Sequence, residues 1–81
     1  MEEAKEFNIS ANQSLSDVLK IAQENSLPVF VNLVGGGRFS GRVKDQTAGA
    51  MVIWRVTGKE LFDIYIPTGQ IASVELQVRD R

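Results

Sequence analysis

The sequence predicts a small, mostly β domain in which an N-terminal helix precedes five short antiparallel strands in a strongly bent barrel. Three observations support this fold class. Several short segments alternate apolar and polar residues, which is typical of strands that are buried on one face. Turn-forming residues separate these segments at regular intervals. One segment near the N-terminus instead repeats its apolar residues at helical spacing.

The composition limits how such a domain can be stabilised. The chain has 81 residues, which is near the lower limit for a single hydrophobic core, so oligomerisation, a metal or disulfides would help. Because the sequence contains no Cys and no His, disulfides and the usual soft or imidazole metal ligands are excluded. We therefore expect a homo-oligomer with no metal and no cofactor.

Charge and hydropathy bear on location and partners. Lys plus Arg number 9 and Asp plus Glu number 10, so the net charge is −1 and any contact with RNA is expected to be local. No apolar run approaches the ~18 residues of a membrane helix. Met1, Glu2 and Glu3 are unlike the start of a secretory signal. We therefore expect a cytoplasmic protein with no membrane partner.

The two ends of the chain carry weak signals. Phe7, Ile9 and Ala11 alternate within an otherwise polar stretch, a pattern that allows a short added strand. We nevertheless expect residues 1–13 to form a flexible N-terminal segment. Residues 79–81 are expected to be a frayed tail.

A helix is predicted to begin at Ser14. Asp17 follows three residues later, which is the spacing of a capping box. The apolar stripe of this helix consists of Leu15, Val18, Leu19 and Ala22. Pro28 cannot continue the helix and disfavours helical geometry in the residue before it, so we expect the helix to end near Asn25.

Residues 28–43 are predicted to form a β-hairpin around which the rest of the chain is arranged. Its apolar phase contains Val29, Val31, Leu33, Phe39 and Val43. The opposite phase of its second strand contains Arg38, Ser40, Arg42 and Lys44. Three consecutive glycines, with Gly36 at the centre, give the freedom that a tight turn needs. Gly41 lies on the apolar phase but packs nothing, so we expect a sharp bend or a close backbone approach there.

The next strand is predicted to be apolar on both faces. Residues 45–49 form a turn by composition, and a nearly continuous apolar run follows at residues 50–56. A strand with two apolar faces is covered on both sides. In so small a protein, we expect one of these covers to be a neighbouring subunit.

Two further strands complete the predicted sheet. A turn at residues 57–60 leads to a strand at residues 61–66, and residues 67–70 then interrupt the pattern. The last strand is predicted at residues 71–78. In the first of these strands Phe62, Ile64 and Ile66 share one phase, and in the last strand Ala72, Val74, Leu76 and Val78 do.

Two stretches resemble the motifs of a known family, the LSm and Hfq (Sm-like) proteins. The residues that match the first Sm motif are Leu33, Gly36, Gly41 and Val43. Residues 63–71, Asp-Ile-Tyr-Ile-Pro-Thr-Gly-Gln-Ile, resemble the second Sm motif. The resemblance covers about residues 14–76. It implies an Sm-like domain at residues 14–78, in which a helix precedes a five-stranded SH3-like barrel.

The resemblance also implies assembly into a ring. In LSm proteins the fourth strand of one subunit pairs with the fifth strand of the next. Our candidates for this interface are Leu61, Tyr65 and Val78, for which ordinary packing in the core is the alternative role. We expect a homo-oligomeric ring of about five to seven subunits.

A third implication is binding of single-stranded RNA, in an RNA-chaperone-type role, by loops that line the pore of the ring. The candidate residues in these loops are Asp45, Gln46, Thr47, Thr68, Gly69 and Gln70. The first loop lacks the family's aromatic residue, Thr68 replaces the usual Arg, and residues 64–67 replace the Tyr-Lys-His of Hfq. A basic row formed by Arg38, Arg42 and Lys44 offers phosphate contacts, although a solvated strand face explains this row equally well.

Catalysis is not expected. No two carboxylates form a recognisable acid–base pair, and residues 35–38 lack the Lys-Ser/Thr and the following helix of a phosphate-binding loop. The alternative to RNA binding is a structural scaffold, an SH3-like module that binds a peptide in an apolar groove around Phe30, Trp54 and Tyr65. Salt distinguishes the two functions, because phosphate binding weakens steeply with salt and apolar peptide binding does not.

Overall fold

The order of elements follows the sequence prediction, with one helix first and five strands after it. The computed structural model of the protein describes residues 7–79. Its elements are α1 (Leu15–Glu24), β1 (Val29–Leu33), β2 (Arg38–Gln46), β3 (Ala50–Trp54), β4 (Ile64–Pro67) and β5 (Ile71–Leu76). A short 3-10 turn, Thr68–Gln70, connects β4 to β5. The prediction of a mostly β chain with an N-terminal helix is therefore confirmed.

Helix α1 begins as its sequence predicts. The backbone N–H of Asp17 donates to Ser14 Oγ at 3.1 Å, and the N–H of Ser14 donates to Asp17 Oδ2 at 3.3 Å. These reciprocal bonds form a capping box, which satisfies two backbone donors that a helix start leaves without partners. The helix buries Leu19 and Ala22 against the sheet, and Asn25 caps its C-terminal end. Within residues 7–79, no helix has the length and apolar character that a bilayer crossing requires.

The strands form one antiparallel sheet in the order β4-β3-β2-β1-β5. Strand β2 belongs to two halves of this sheet. It pairs with β1 through Gly41 and with β3 from Arg42 onward. We call β5, β1 and the start of β2 the first half-sheet, and the end of β2, β3 and β4 the second half-sheet. Within residues 7–79, β4 and β5 do not pair with each other, so the sheet is not closed and has two open edges.

Both half-sheets contribute to a single core. The buried strand residues lie on one face, which α1 covers, and they are Val29, Val31, Val43, Met51, Ile53 and Ile66.

Gly41 is buried where the two half-sheets meet. A Cβ atom at this position would lie 2.7 Å from the carbonyl oxygen of Trp54 and 3.0 Å from Val56 Cγ2. The backbone therefore approaches closely here, and no side chain fits without a shift of the main chain.

The predicted turn at residues 45–49 is too long. Asp45 and Gln46 belong to β2, where they pair with Val52 and Met51 after a register shift that follows Val43. The turn is confined to residues 47–49, because the Thr47 hydroxyl accepts the backbone N–H groups of Gly49 and Ala50, both at 3.2 Å. Because the Thr47 side chain bonds to the backbone N–H groups of the turn, the turn needs few residues and β2 extends to Gln46.

The predicted strands at 50–56 and 61–66 are also shorter than expected. Strand β3 ends at Trp54, because Arg55 adopts a φ of 54° and leaves the extended conformation. Strand β4 starts only at Ile64, because the N–H of Phe62 donates to the carbonyl of Lys59 at 3.0 Å and holds residues 61–63 in a loop. Phe62 therefore lies before β4 and is 62% exposed, so it does not continue the phase of Ile64 and Ile66.

The phase of β5 differs from the prediction at its start. Ile71 pairs with Leu33 beyond a register shift, and both residues pack against the core. Ala72, which the alternation places on the inner face, is exposed. The irregularity puts Ile71 rather than Ala72 on the inner face, ahead of Val74 and Leu76.

The N-terminal segment is described only from Phe7. Phe7 is partly buried against the core, and its backbone N–H donates to the carbonyl oxygen of Val78 at 3.1 Å. The predictions of a flexible stretch at 1–13 and of a frayed tail at 79–81 include residues 1–6 and 80–81, which lie outside the described residues. Both therefore stay predictions.

Candidate nucleic-acid interface

The two loops that are predicted to line a pore lie together. The N–H of Thr68 donates to the carbonyl of Gly49 at 2.9 Å, and the Thr68 hydroxyl donates to the carbonyl of Ala48 at 3.1 Å. The carbonyl of Gln70 accepts the N–H of Val34 at 2.8 Å, which links the same turn to the β1–β2 connection. We call residues 47–50 and 67–70 the loop edge.

The loop edge contains only part of the candidate RNA-binding set. Thr47, Thr68, Gly69 and Gln70 belong to it, whereas Asp45 and Gln46 lie in β2. The side chain of Gln46 points away from this edge, because its Oε1 accepts the hydroxyl of Ser16 in α1 at 2.6 Å. The loop edge has no Lys, Arg or aromatic residue. It therefore supplies hydrogen-bonding groups but neither positive charge nor a stacking surface.

Arg38 is a neutralised member of the basic row. Its Cζ lies 4.2 Å from the centroid of the Phe30 ring, and its Nη2 lies 3.5 Å from Glu75 Oε1. The other oxygen of Glu75 accepts the side-chain amide of Asn32 at 2.9 Å. The polar side chains on the outer surface of the first half-sheet thus bond to one another, and this surface has no excess charge.

The second half-sheet holds an aromatic ring among cations. Trp54 is partly buried, and its cross-strand neighbour is Arg42. Lys44 Nζ lies 5.2 Å from a centroid of the Trp54 ring, and Arg55 Cζ lies 4.9 Å from one. Lys44 also forms an ion pair with Asp63. We call Trp54, Arg42, Lys44 and Arg55 the Trp54 cluster.

Arg55 is a member of this cluster that the sequence patterns do not identify. The apolar run at 50–56 makes Arg55 an isolated charge within a strand, whereas its positive φ places it after the strand, beside the Trp54 ring. The sequence does contain the adjacent residues Trp54 and Arg55, and it places Arg42 and Lys44 on one phase of β2. The register of β2 and β3 is needed to show that these residues lie together.

The candidate interface residues divide into two kinds. Leu61 is 97% exposed and Tyr65 is 69% exposed, so neither packs in the core of its own chain. Val78 is partly buried and packs against the core. Phe62 and Tyr65 line a shallow cavity of about 340 Å³, together with Phe39.

The three residues proposed for a peptide groove are spread over the sheet, and only two of them lie on adjacent strands. Phe30 lies on β1 under Arg38, and Tyr65 lies on β4 opposite Val52. Strand β2 and strand β3 separate β1 from β4 in the sheet. Phe30 therefore lies apart from Tyr65, whereas Trp54 lies on the strand next to Tyr65, two residues from its partner Val52.

The acidic side chains bear on metal binding and on the stability of one turn. Within residues 7–79, no group of three or more Asp and Glu side chains is placed to hold a metal ion. The N–H of Gly58 donates to Glu60 at 3.0 Å, and this bond lowers the pKa of the Glu60 carboxyl below its ordinary value, with a second contribution from the N–H of Glu60 itself. This carboxylate stabilises the turn before β4.

No protein-family model matches the chain, and no curated protein matches it.

Proposed function

We propose that this chain is an Sm-like protein with an SH3-like barrel that forms a homo-oligomeric ring and binds single-stranded RNA. The observation that carries the proposal is the sheet order β4-β3-β2-β1-β5 behind an N-terminal helix, with its two open edges. This is the order of elements that the motif resemblance implies. The loop edge supports the same function, because its two loops are held together by the hydrogen bonds of Thr68.

Ring formation follows from the two edges. An open edge strand presents unpaired N–H and C=O groups, and natural proteins cover such edges or pair them. Apolar side chains lie exposed beside the β4 edge, at Leu61, Phe62 and Tyr65. Pairing of β4 in one subunit with β5 in the next is a head-to-tail contact, which closes into a ring when the rotation per subunit permits it.

RNA binding in this ring depends more on cations that contact phosphates than on the loop edge that would line the pore. The loop edge is uncharged, so excess positive charge comes from the outer face of the sheet, at Arg42 and Arg55, whereas Asp63 pairs with Lys44. A phosphate contact carries no base information and weakens as salt rises. We therefore expect weak, salt-dependent binding with little base preference, and no catalytic activity.

Filter binding over uridine-rich and adenine-rich oligonucleotides at two salt concentrations tests this function. Raising the salt from about 50 to 200 mM should weaken binding of both oligonucleotides about tenfold or more, if several subunits contribute phosphate contacts. No detectable binding at low salt would contradict the RNA function for the purified protein.

A second candidate function is a scaffold that binds a protein partner. The exposed apolar residues Leu61, Phe62 and Tyr65 favour it, together with the shallow cavity beside them. This patch shares Tyr65 with the groove that was expected around Phe30, Trp54 and Tyr65. Binding of an apolar peptide there would persist at high salt, which separates it from RNA binding.

A further inference from the structure

The Trp54 cluster is an outward surface that the loop edge does not include. Met51 and Ile53 point into the core, and Trp54 ends β3 on the opposite phase, across from Arg42. Two cations, Lys44 and Arg55, lie over its ring. One partly exposed aromatic ring thus has two cations over it and a third, Arg42, opposite it on the neighbouring strand.

The cluster keeps an excess of positive charge. Asp63 neutralises Lys44, whereas Arg42 and Arg55 form no ion pair with any residue between 7 and 79. The comparable contact on the first half-sheet, Arg38 over Phe30, is neutralised by Glu75. A surface that combines an aromatic ring with unpaired cations complements a ligand that has flat rings and negative charge.

The backbone of Arg55 is held in an unusual conformation. Its φ of 54° lies in the left-handed region, which non-glycine residues adopt at a cost and which clusters at functional sites. The positions on either side are fixed, because the carbonyl of Trp54 packs against Gly41 and the side chain of Val56 is buried. This conformation brings the guanidinium of Arg55 to the ring of the residue directly before it.

We propose that Trp54 stacks a base of single-stranded RNA while Arg42 and Arg55 bind the flanking phosphates. This inference rests on the proposed RNA-binding function and names the residue that supplies its missing stacking surface. A base stacked on an aromatic ring is held more strongly than an exposed cation over the same ring. A base therefore displaces a cation from the Trp54 ring, and the displaced cation remains beside it to bind a phosphate.

The fluorescence of Trp54 tests the inference directly, because Trp54 is the single tryptophan of the chain. The full chain is titrated with a uridine-rich RNA oligonucleotide and, in parallel, with an abasic oligonucleotide of the same length. We expect the RNA to quench the fluorescence, with a midpoint that matches the binding curve from fluorescence anisotropy of a labelled RNA. The abasic strand should bind about tenfold more weakly and leave the fluorescence nearly unchanged.

Two variants and one control separate stacking from charge. Trp54→Leu should lower the affinity for RNA about tenfold and leave the affinity for the abasic strand unchanged. Arg55→Gly retains a residue suited to positive φ, so the fold should persist while the slope of log affinity against log salt falls by about 0.7 for each phosphate that the protein no longer neutralises. Lys20→Ala removes an exposed cation from α1 and should change neither affinity.

The outcomes also separate this inference from the proposed function. RNA binding without a change in Trp54 fluorescence would overturn the stacking site and leave RNA binding intact. Equal weakening of both strands in Trp54→Leu would do the same, because it would indicate a structural effect. Absence of RNA binding at low salt would overturn both. If Trp54→Leu does not fold, the wild-type fluorescence and Arg55→Gly still decide the question.

Discussion

The outer faces of the two half-sheets both place cations over an aromatic ring, but they differ in net charge. In the first half-sheet Arg38 lies over Phe30, and Glu75 neutralises it. In the second half-sheet Lys44 and Arg55 lie over Trp54, and only Lys44 has an acidic partner among residues 7–79. A cation over an aromatic ring is therefore not by itself evidence of a binding site. The charge that remains after neighbouring carboxylates are counted distinguishes the two faces.

Gly41 lies where the two half-sheets meet, and its replacement is expected to have the largest effect on stability. A Cβ atom there would lie 2.7 Å from a backbone oxygen, which cannot move as a side chain does. Gly41→Val should lower the free energy of unfolding by about 1–3 kcal/mol, measured by urea denaturation. Gly49→Val is the matched control, because nothing lies within 4 Å of a Cβ atom at that position. Equal stability of the two variants would contradict a close approach at Gly41.

The contrast in net charge predicts different roles for two arginines of the same row. Arg42 has no acidic partner within residues 7–79, so Arg42→Ala should weaken RNA binding about fivefold at 0.1 M salt, the effect of removing one phosphate contact. Arg38→Ala should have a smaller effect, because Glu75 already neutralises Arg38. Filter binding of both variants to the same oligonucleotide measures the difference, and an equal reduction in affinity would mean that the two faces contribute alike.

Removing the carboxylate of Glu75 should give the first half-sheet the excess positive charge that it lacks. Glu75→Gln removes the carboxylate that neutralises Arg38 and retains a side chain that can accept the Asn32 amide. This variant should bind RNA more tightly than the wild type, and its binding should depend more steeply on salt. Unchanged binding would indicate that the first half-sheet does not contact RNA even when it is positively charged.

The smallest effect is expected at Glu60, in the turn before β4. The Gly58 N–H lowers the pKa of the Glu60 carboxyl, so the charged form contributes stability above the unfolded pKa of about 4.3 and loses it as pH falls through the folded value. Glu60→Gln should therefore destabilise the protein slightly at pH 7 and less at pH 2.5. Thermal unfolding at both pH values measures this, with Glu24→Gln as a control in α1. A constant difference between variant and wild type at both pH values would contradict the assignment.

The sequence predicted those elements whose signals are local. The capping box of Ser14 and Asp17, the end of α1 before Pro28 and the hairpin around Gly36 each depend on residues within a few positions. Gly41 was identifiable as unusual because a glycine on an apolar strand phase has no packing role.

Strand ends and the candidate site depend on contacts between distant residues, which periodicity does not contain. Asp45 and Gln46 extend β2 because Met51 and Val52 pair with them, and Ile71 replaces Ala72 on the inner face because of a register shift opposite Leu33. The basic row offered no means of separating Arg38 from Arg42. That separation requires Glu75, which lies 37 residues from Arg38 in sequence.

We propose that open sheet edges produce a ring that binds single-stranded RNA, and native mass spectrometry tests this claim most directly. The purified full chain is measured with and without a uridine-rich oligonucleotide at low salt. We expect a single oligomer of about five to seven copies in both samples, and an added mass of whole oligonucleotides bound to that oligomer in the second. A monomer in both samples, with no bound oligonucleotide, would contradict this claim.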